Sequence, residues 1–136
     1  MAGLRIGYGV GHPSIIHNLR KVQCTFPVDC VSVAFAEEIL DNIEVEDKLY
    51  KEFQRGKEYI TKCLEEEGIE YHMGESNFVL IKCNKKIINK LKELRVLVKG
   101  NFNQGILKDY VRVTIGSKDQ MEVFWCNFLK VVKYCD

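Results

Sequence analysis

A chain of 136 residues, 46% apolar and 29% charged with only two prolines, is long enough to bury one real core and too apolar to stay disordered. Its formal charge is +1 with Lys and Glu interspersed, which leaves no electrostatic reason to expect nucleic acid or an anionic membrane as partner. No apolar run approaches the roughly eighteen residues of a membrane span and no leader pattern opens the chain, so a cytoplasmic protein is expected.

The opening stretch, Ala2-Gly3-Leu4-Arg5-Ile6-Gly7-Tyr8, alternates Leu4, Ile6 and Tyr8 with Gly3, Arg5 and Gly7. Such alternation predicts a strand with one cation on its polar face, between glycines that let a phosphate or planar ligand come close. The plainer alternative is a short strand with a solvent-facing Arg. Pro13 stands at a permitted first-turn position, and Ile15, Ile16, Leu19 and Val22 share a face, which predicts a helix ending near Cys24. A second helix is expected over 27–42, rich in small residues, with Val28, Val31, Phe35 and Ile39 at helical spacing.

From Glu44 to Glu67 the positions Val45, Leu49, Phe53, Ile60 and Leu64 describe a long charged helix with one apolar stripe. Gly56 interrupts it at a cost of up to about 1 kcal/mol relative to Ala. Gly68 suits the left-handed residue that ends it. Strands are then expected over 69–73, 78–83, 96–98 and 110–115, with a helix over 85–94 and a polar Gly- and Asn-rich connection over 101–105. On the last strand, Tyr110 to Ile115, Arg112 is the single cation of the polar face. Ser117 and Gln120 form a capping box for a closing helix whose stripe is Met121, Phe124, Phe128, Val131 and Val132.

This order predicts an α/β chain of α+β type. From about Glu44 onward it gives a small, mostly antiparallel sheet with helices packed on one face. Residues 1–43 read as a strand and two helices severed from something larger. The six cysteines contain no Cys-x-x-Cys, and His12, His17 and His72 are scattered, so free thiols and no metal site are expected. Cys63, Cys83 and Cys126 sit in apolar patterns, as small core residues would.

Taken together, the AGLRxGY stretch, the long helical region, Ser76-Asn77-Phe78-Val79-Leu80-Ile81, Val96-Leu97-Val98-Lys99 and Val111-Arg112-Val113-Thr114-Ile115-Gly116 resemble the C-terminal part of a fold-type I pyridoxal-phosphate aminotransferase. The resemblance is nearest to the histidinol-phosphate aminotransferase branch and covers essentially the whole chain. It implies that 1–43 are a remnant of the large cofactor-binding domain with an interdomain helix, and that 44–136 are the C-terminal small domain. It places Arg5 on the cofactor phosphate and Arg112 on the substrate α-carboxylate. Lys99 stands near the place where that branch carries an arginine facing the phosphate end of the substrate, with an extra Gly100 after it. Asn77 is read as structural.

The resemblance further implies pyridoxal 5'-phosphate as cofactor of the full-length enzyme. Its substrates would be an amino acid or amino-alcohol phosphate and a 2-oxo acid, with neither nucleic acid nor membrane as partner, and the assembly a homo-oligomer such as a dimer. The Schiff-base lysine, the aspartate facing the pyridine nitrogen and the ring-stacking aromatic of that family have no counterpart here. The first lysine is Lys21, no residue is assigned a catalytic role, and the chain alone is expected to be an inactive fragment. Two alternatives stay open: a phospho-amino-acid decarboxylase of similar sequence, and a non-catalytic module that binds a partner chain. For Arg112 the plainer reading is a cross-strand ion pair with Glu70 or Asp109, and for Lys99 an exposed hairpin lysine.

Overall fold

The computed structural model describes residues 2–102 and 105–132. Packing divides the chain into two compact units, one ending at Asp47 and the next beginning at Lys48.

The first unit opens with a 3-10 turn, Ala2–Leu4, followed by helix α1, Pro13–Lys21, helix α2, Cys30–Asp41, and the start of helix α3, Ile43–Glu66. The strand expected over 2–8 does not form. Arg5 takes φ +57°, a left-handed geometry outside the β region, and the residues after it pair with no strand. Ser32, buried in α2, holds this turn: its hydroxyl lies 2.8 Å from the Leu4 carbonyl and 2.6 Å from Asp29 Oδ2. Asp29 is the N-cap of α2, accepting the Ser32 N–H at 2.9 Å, which is why that helix begins at Cys30 rather than just after Pro27. The Ser32 hydroxyl, then its N–H, hold the Asp29 carboxyl below the ordinary aspartate range.

The second unit holds the remainder of α3, strand β1, Tyr71–Met73, strand β2, Phe78–Lys82, helix α4, Lys86–Glu93, a 3-10 turn at Gly105–Leu107, strand β3, Tyr110–Thr114, and helix α5, Lys118–Val132. The sheet is antiparallel in the order β1-β2-β3, with Val79 opposite Val113 and Ile81 opposite Val111. Those four valine and isoleucine side chains face Ile60 and Leu64 of α3, Ile87 and Leu91 of α4, and Met121, Phe124, Phe128 and Val131 of α5 in one buried cluster. Each such side chain contributes about 1.5–3 kcal/mol by leaving water. Within α5, Phe128 is fully buried and stacks with Phe124 and Trp125 at 5.4 and 5.6 Å between ring centres.

The α3 stripe divides along its length: Ile60 and Leu64 are buried, whereas Val45 and Leu49 are exposed. Gly68 takes φ +65° and ends the helix in a Schellman arrangement, with Ile69 N–H on Leu64 O and Gly68 N–H on Glu65 O. The acidic run at this negative end is relieved locally, because Glu65 accepts the Tyr71 hydroxyl at 2.9 Å and Glu66 pairs with Lys62 at 3.8 Å. The capping box closes as expected: Ser117 N–H donates to Gln120 Oε1 at 3.1 Å and Gln120 N–H to Ser117 Oγ at 3.4 Å.

The strand expected over 96–98 is absent from the ladder, and among the described residues the sheet has three strands. Left-handed residues bracket that segment, Arg95 at φ +61° and Asn101 at φ +57°, and Val96 N–H turns back to Leu91 O. Only Lys99 pairs with β3. Cys126 is exposed, unlike Cys63, because Trp125 takes the inward position of that turn. Cys24, Cys30, Cys63 and Cys126 are free thiols, Cys135 lies outside the described residues, and no described helix is long and apolar enough to cross a membrane. Among the described residues, no group of three His, Cys, Asp or Glu side chains could hold a metal.

Candidate functional site

Strand parity builds the site. With Val79, Ile81, Val111 and Val113 turned into the core, Phe78, Leu80 and Lys82 of β2 and Tyr110, Arg112 and Thr114 of β3 lie on the opposite face. His72 of β1 joins them, opposite Leu80, which in turn is opposite Arg112.

Lys99 completes that row. Arg112 N–H donates to Lys99 O at 2.6 Å and Lys99 N–H donates to Arg112 O at 3.0 Å. Residues that exchange both bonds lie directly opposite, about 5.5 Å apart at Cα, with side chains on the same face. Like charges so placed repel and cost stability unless an anion sits between them. Among the described residues no carboxylate lies within ion-pair distance of either. Gly100 keeps the segment close, since a side chain there would overlap Ile88 and press on Val111.

The ion pair considered for Arg112 does not form. Glu70 instead accepts Lys82 Nζ at 2.7 Å and the Tyr110 hydroxyl at 2.6 Å. The exposed Arg112 guanidinium lies over the ring of Phe78, 5.4 Å from its centre. Tyr110 also meets His72, with Nε2 3.2 Å from its oxygen and the rings 5.3 Å apart.

Lys82, and after it Tyr110, hold the Glu70 carboxyl below its ordinary range. Glu70 in return raises the pKa of Lys82 and of Tyr110. Neither this cluster nor Phe78 stands out in the sequence as a site. The available signal was parity, because the alternation that sends Arg112 outward also sends Tyr110 and Thr114 outward and leaves Phe78 on the same face of the neighbouring strand.

Arg5 belongs to the first unit and Lys99 and Arg112 to the second. Within the second unit the structure sets Lys99 and Arg112 side by side. Arg5 is exposed at its left-handed position, and β-carbons added at Gly3 and Gly7 would meet nothing within 4 Å.

The family model for aminotransferases of class I and II matches residues 1–126. The histidinol-phosphate aminotransferase of Aliarcobacter butzleri is 34% identical over 127 residues, covering 88% of this chain and 34% of that protein. Curated relatives of this kind are matched over 34% to 39% of their length. Among solved structures, the Sinorhizobium meliloti histidinol-phosphate aminotransferase in complex with pyridoxal-5'-phosphate superposes with TM-score 0.78 at 18% identity, over 100% of this chain and 39% of that one. The L-threonine-O-3-phosphate decarboxylase of Porphyromonas gingivalis superposes with TM-score 0.67 at 22% identity, over 96% of this chain and 42% of that one. At those identities the likeness is one of fold.

Proposed function

Because the chain belongs to the class I and II aminotransferase family, we propose that it is the C-terminal, substrate-facing portion of a pyridoxal-phosphate-dependent enzyme that moves an amino group between an amino acid or amino-alcohol phosphate and a 2-oxo acid. In this reading residues 1–43 derive from the large domain, 44–136 form the small domain, and the enzyme is a homo-oligomer. The observation that carries it is the Lys99–Arg112 pair, two cations in register with no acidic partner among the described residues.

Arg112 presents a planar fork that suits a carboxylate held by two parallel N–H bonds. Fixing the substrate by that group limits its rotation before reaction. Lys99, a compact point charge, suits a phosphate or a second carboxylate at the other end of the substrate. The donor set also fits the cofactor's phosphate, since Arg5 offers an exposed guanidinium with open space at Gly3 and Gly7. When bound, pyridoxal phosphate supplies the electron sink of the reaction, and the residues of this chain supply binding and orientation.

Amino transfer and decarboxylation of a phospho-amino acid would use the same cations, and the products separate them. The test is the enzyme carrying this segment, supplied with pyridoxal phosphate, a phosphorylated amino donor and 2-oxoglutarate. Appearance of glutamate supports amino transfer, whereas carbon dioxide without glutamate supports the decarboxylase. The 136-residue chain itself, treated with pyridoxal phosphate and borohydride, is expected to show only scattered lysine labelling. One-to-one labelling at a single lysine would overturn the assignment of no catalytic residue to this chain.

A further inference from the structure

We propose that Phe78 is a positioning residue for Arg112: its ring holds the guanidinium from one face while leaving every N–H of the fork free for a carboxylate. The inference rests on the substrate role proposed for Arg112 and adds the means by which that side chain is kept ready.

A surface arginine spreads over many rotamers, and ordering it costs side-chain freedom. The usual device is a carboxylate partner, which also consumes donors and cancels the charge. Arg112 has no such partner among the described residues; its guanidinium carbon lies 5.4 Å from the centre of the Phe78 ring. An aromatic face attracts the cation through its quadrupole and accepts no N–H from the in-plane edge.

The sheet sets up this contact. Arg112 gives both its backbone groups to Lys99, so on its other side it meets Leu80 as a non-hydrogen-bonded pair, in which side chains come closest. Phe78 pairs with Thr114 and is therefore diagonal to Arg112, within reach of an aromatic ring. Lys99, of like charge, stands on the opposite side and favours displacement of the guanidinium toward Phe78. Phe78 itself is half-buried, which leaves its ring less freedom than an exposed one has.

The experiment uses the 136-residue chain with labelled arginine, together with Phe78→Leu, Phe78→Tyr, Arg112→Ala and 2-oxoglutarate as probe. In the unmodified chain the Arg112 side-chain protons should be shifted upfield by the ring, and the shift should vanish in Phe78→Leu and persist in Phe78→Tyr. Binding of 2-oxoglutarate should weaken about two- to fivefold in Phe78→Leu, the size of an exposed cation–π contact, and stay near the original in Phe78→Tyr. An unshifted Arg112 in the unmodified chain overturns the proposal without any variant having to fold. Binding weakened by Arg112→Ala but untouched by Phe78→Leu also overturns it and leaves the substrate reading standing. Binding that is absent, or indifferent to Arg112→Ala, sinks the substrate reading, and the ring shift still decides whether Phe78 holds the guanidinium.

Discussion

Gly56, midway along α3, lies against the carbonyl oxygen of Gly116, so near that a β-carbon at position 56 would overlap that oxygen and crowd the carbonyl carbon of Ser117 at 3.2 Å. The residue that weakens the helix on intrinsic grounds is the one that lets α3 seat against the connection from β3 to α5.

Gly56→Ala is therefore expected to destabilise the chain although it improves helix propensity. The obstacle is backbone rather than a flexible side-chain end, so overpacking should exceed the roughly 1 kcal/mol gained, for a net loss of about 1–2 kcal/mol. Urea denaturation measures it. An unchanged or raised midpoint would mean that the two backbones are further apart than described.

Arg112→Ala should leave the stability of the chain within about 0.5 kcal/mol, because Val111 and Val113 supply the burial of β3 and Arg112 is exposed. In the enzyme carrying this segment the same change should lower kcat/KM for the amino substrate by about a hundredfold or more, and Arg112→Lys should restore only part. Lys99→Ala should raise KM chiefly for substrates with a second anionic group. Strong destabilisation with unaltered kinetics would make Arg112 structural.

Acid sensitivity should run through Glu70. Its folded pKa lies below the unfolded value because of Lys82 first and Tyr110 second. The stabilisation is thus present above the unfolded carboxylate value, about 4.3, and is lost as pH falls through the folded one. Lys82 and Tyr110 have raised values, so their share is present below their unfolded pKa and disappears as pH rises through the folded ones. Glu70→Gln should flatten both ends of the stability–pH curve, with the plateau near neutrality lowered. Denaturation at a series of pH values tests this, and a variant curve parallel to the original at both ends would rule it out.

The first unit should be covered by another chain. Tyr8 is 94% and Phe26 88% exposed, Val31 and Phe35 are exposed on α2, and in that unit Ser32 is the one described residue classed as buried. Apolar surface on this scale marks an interface. Light scattering should report an oligomer, with Phe26→Ser and Phe35→Ser shifting it toward monomer. A clean monomer with slow hydrogen exchange throughout residues 2–43 would contradict the proposal.

Periodicity and caps made α1, α3, α4 and α5, Gly68 as a helix end and the Ser117–Gln120 box legible from the sequence, because those signals act within a few residues of one another. The same locality misled over residues 2–8, where alternation is equally compatible with a turn held by Ser32 across 28 positions of chain. It misled again over 96–98, where a β-rich run lies between two left-handed residues and pairs only at Lys99. Parity put Arg112 on a polar face, but that Lys99 stands opposite it, that Glu70 is taken by Lys82 and Tyr110, and that Phe78 lies beneath the guanidinium are matters of register between segments far apart in the chain. A single-residue slip would send each side chain to the other face, so only the assembled sheet, with its valines and isoleucines buried on the helix side, decides those pairings.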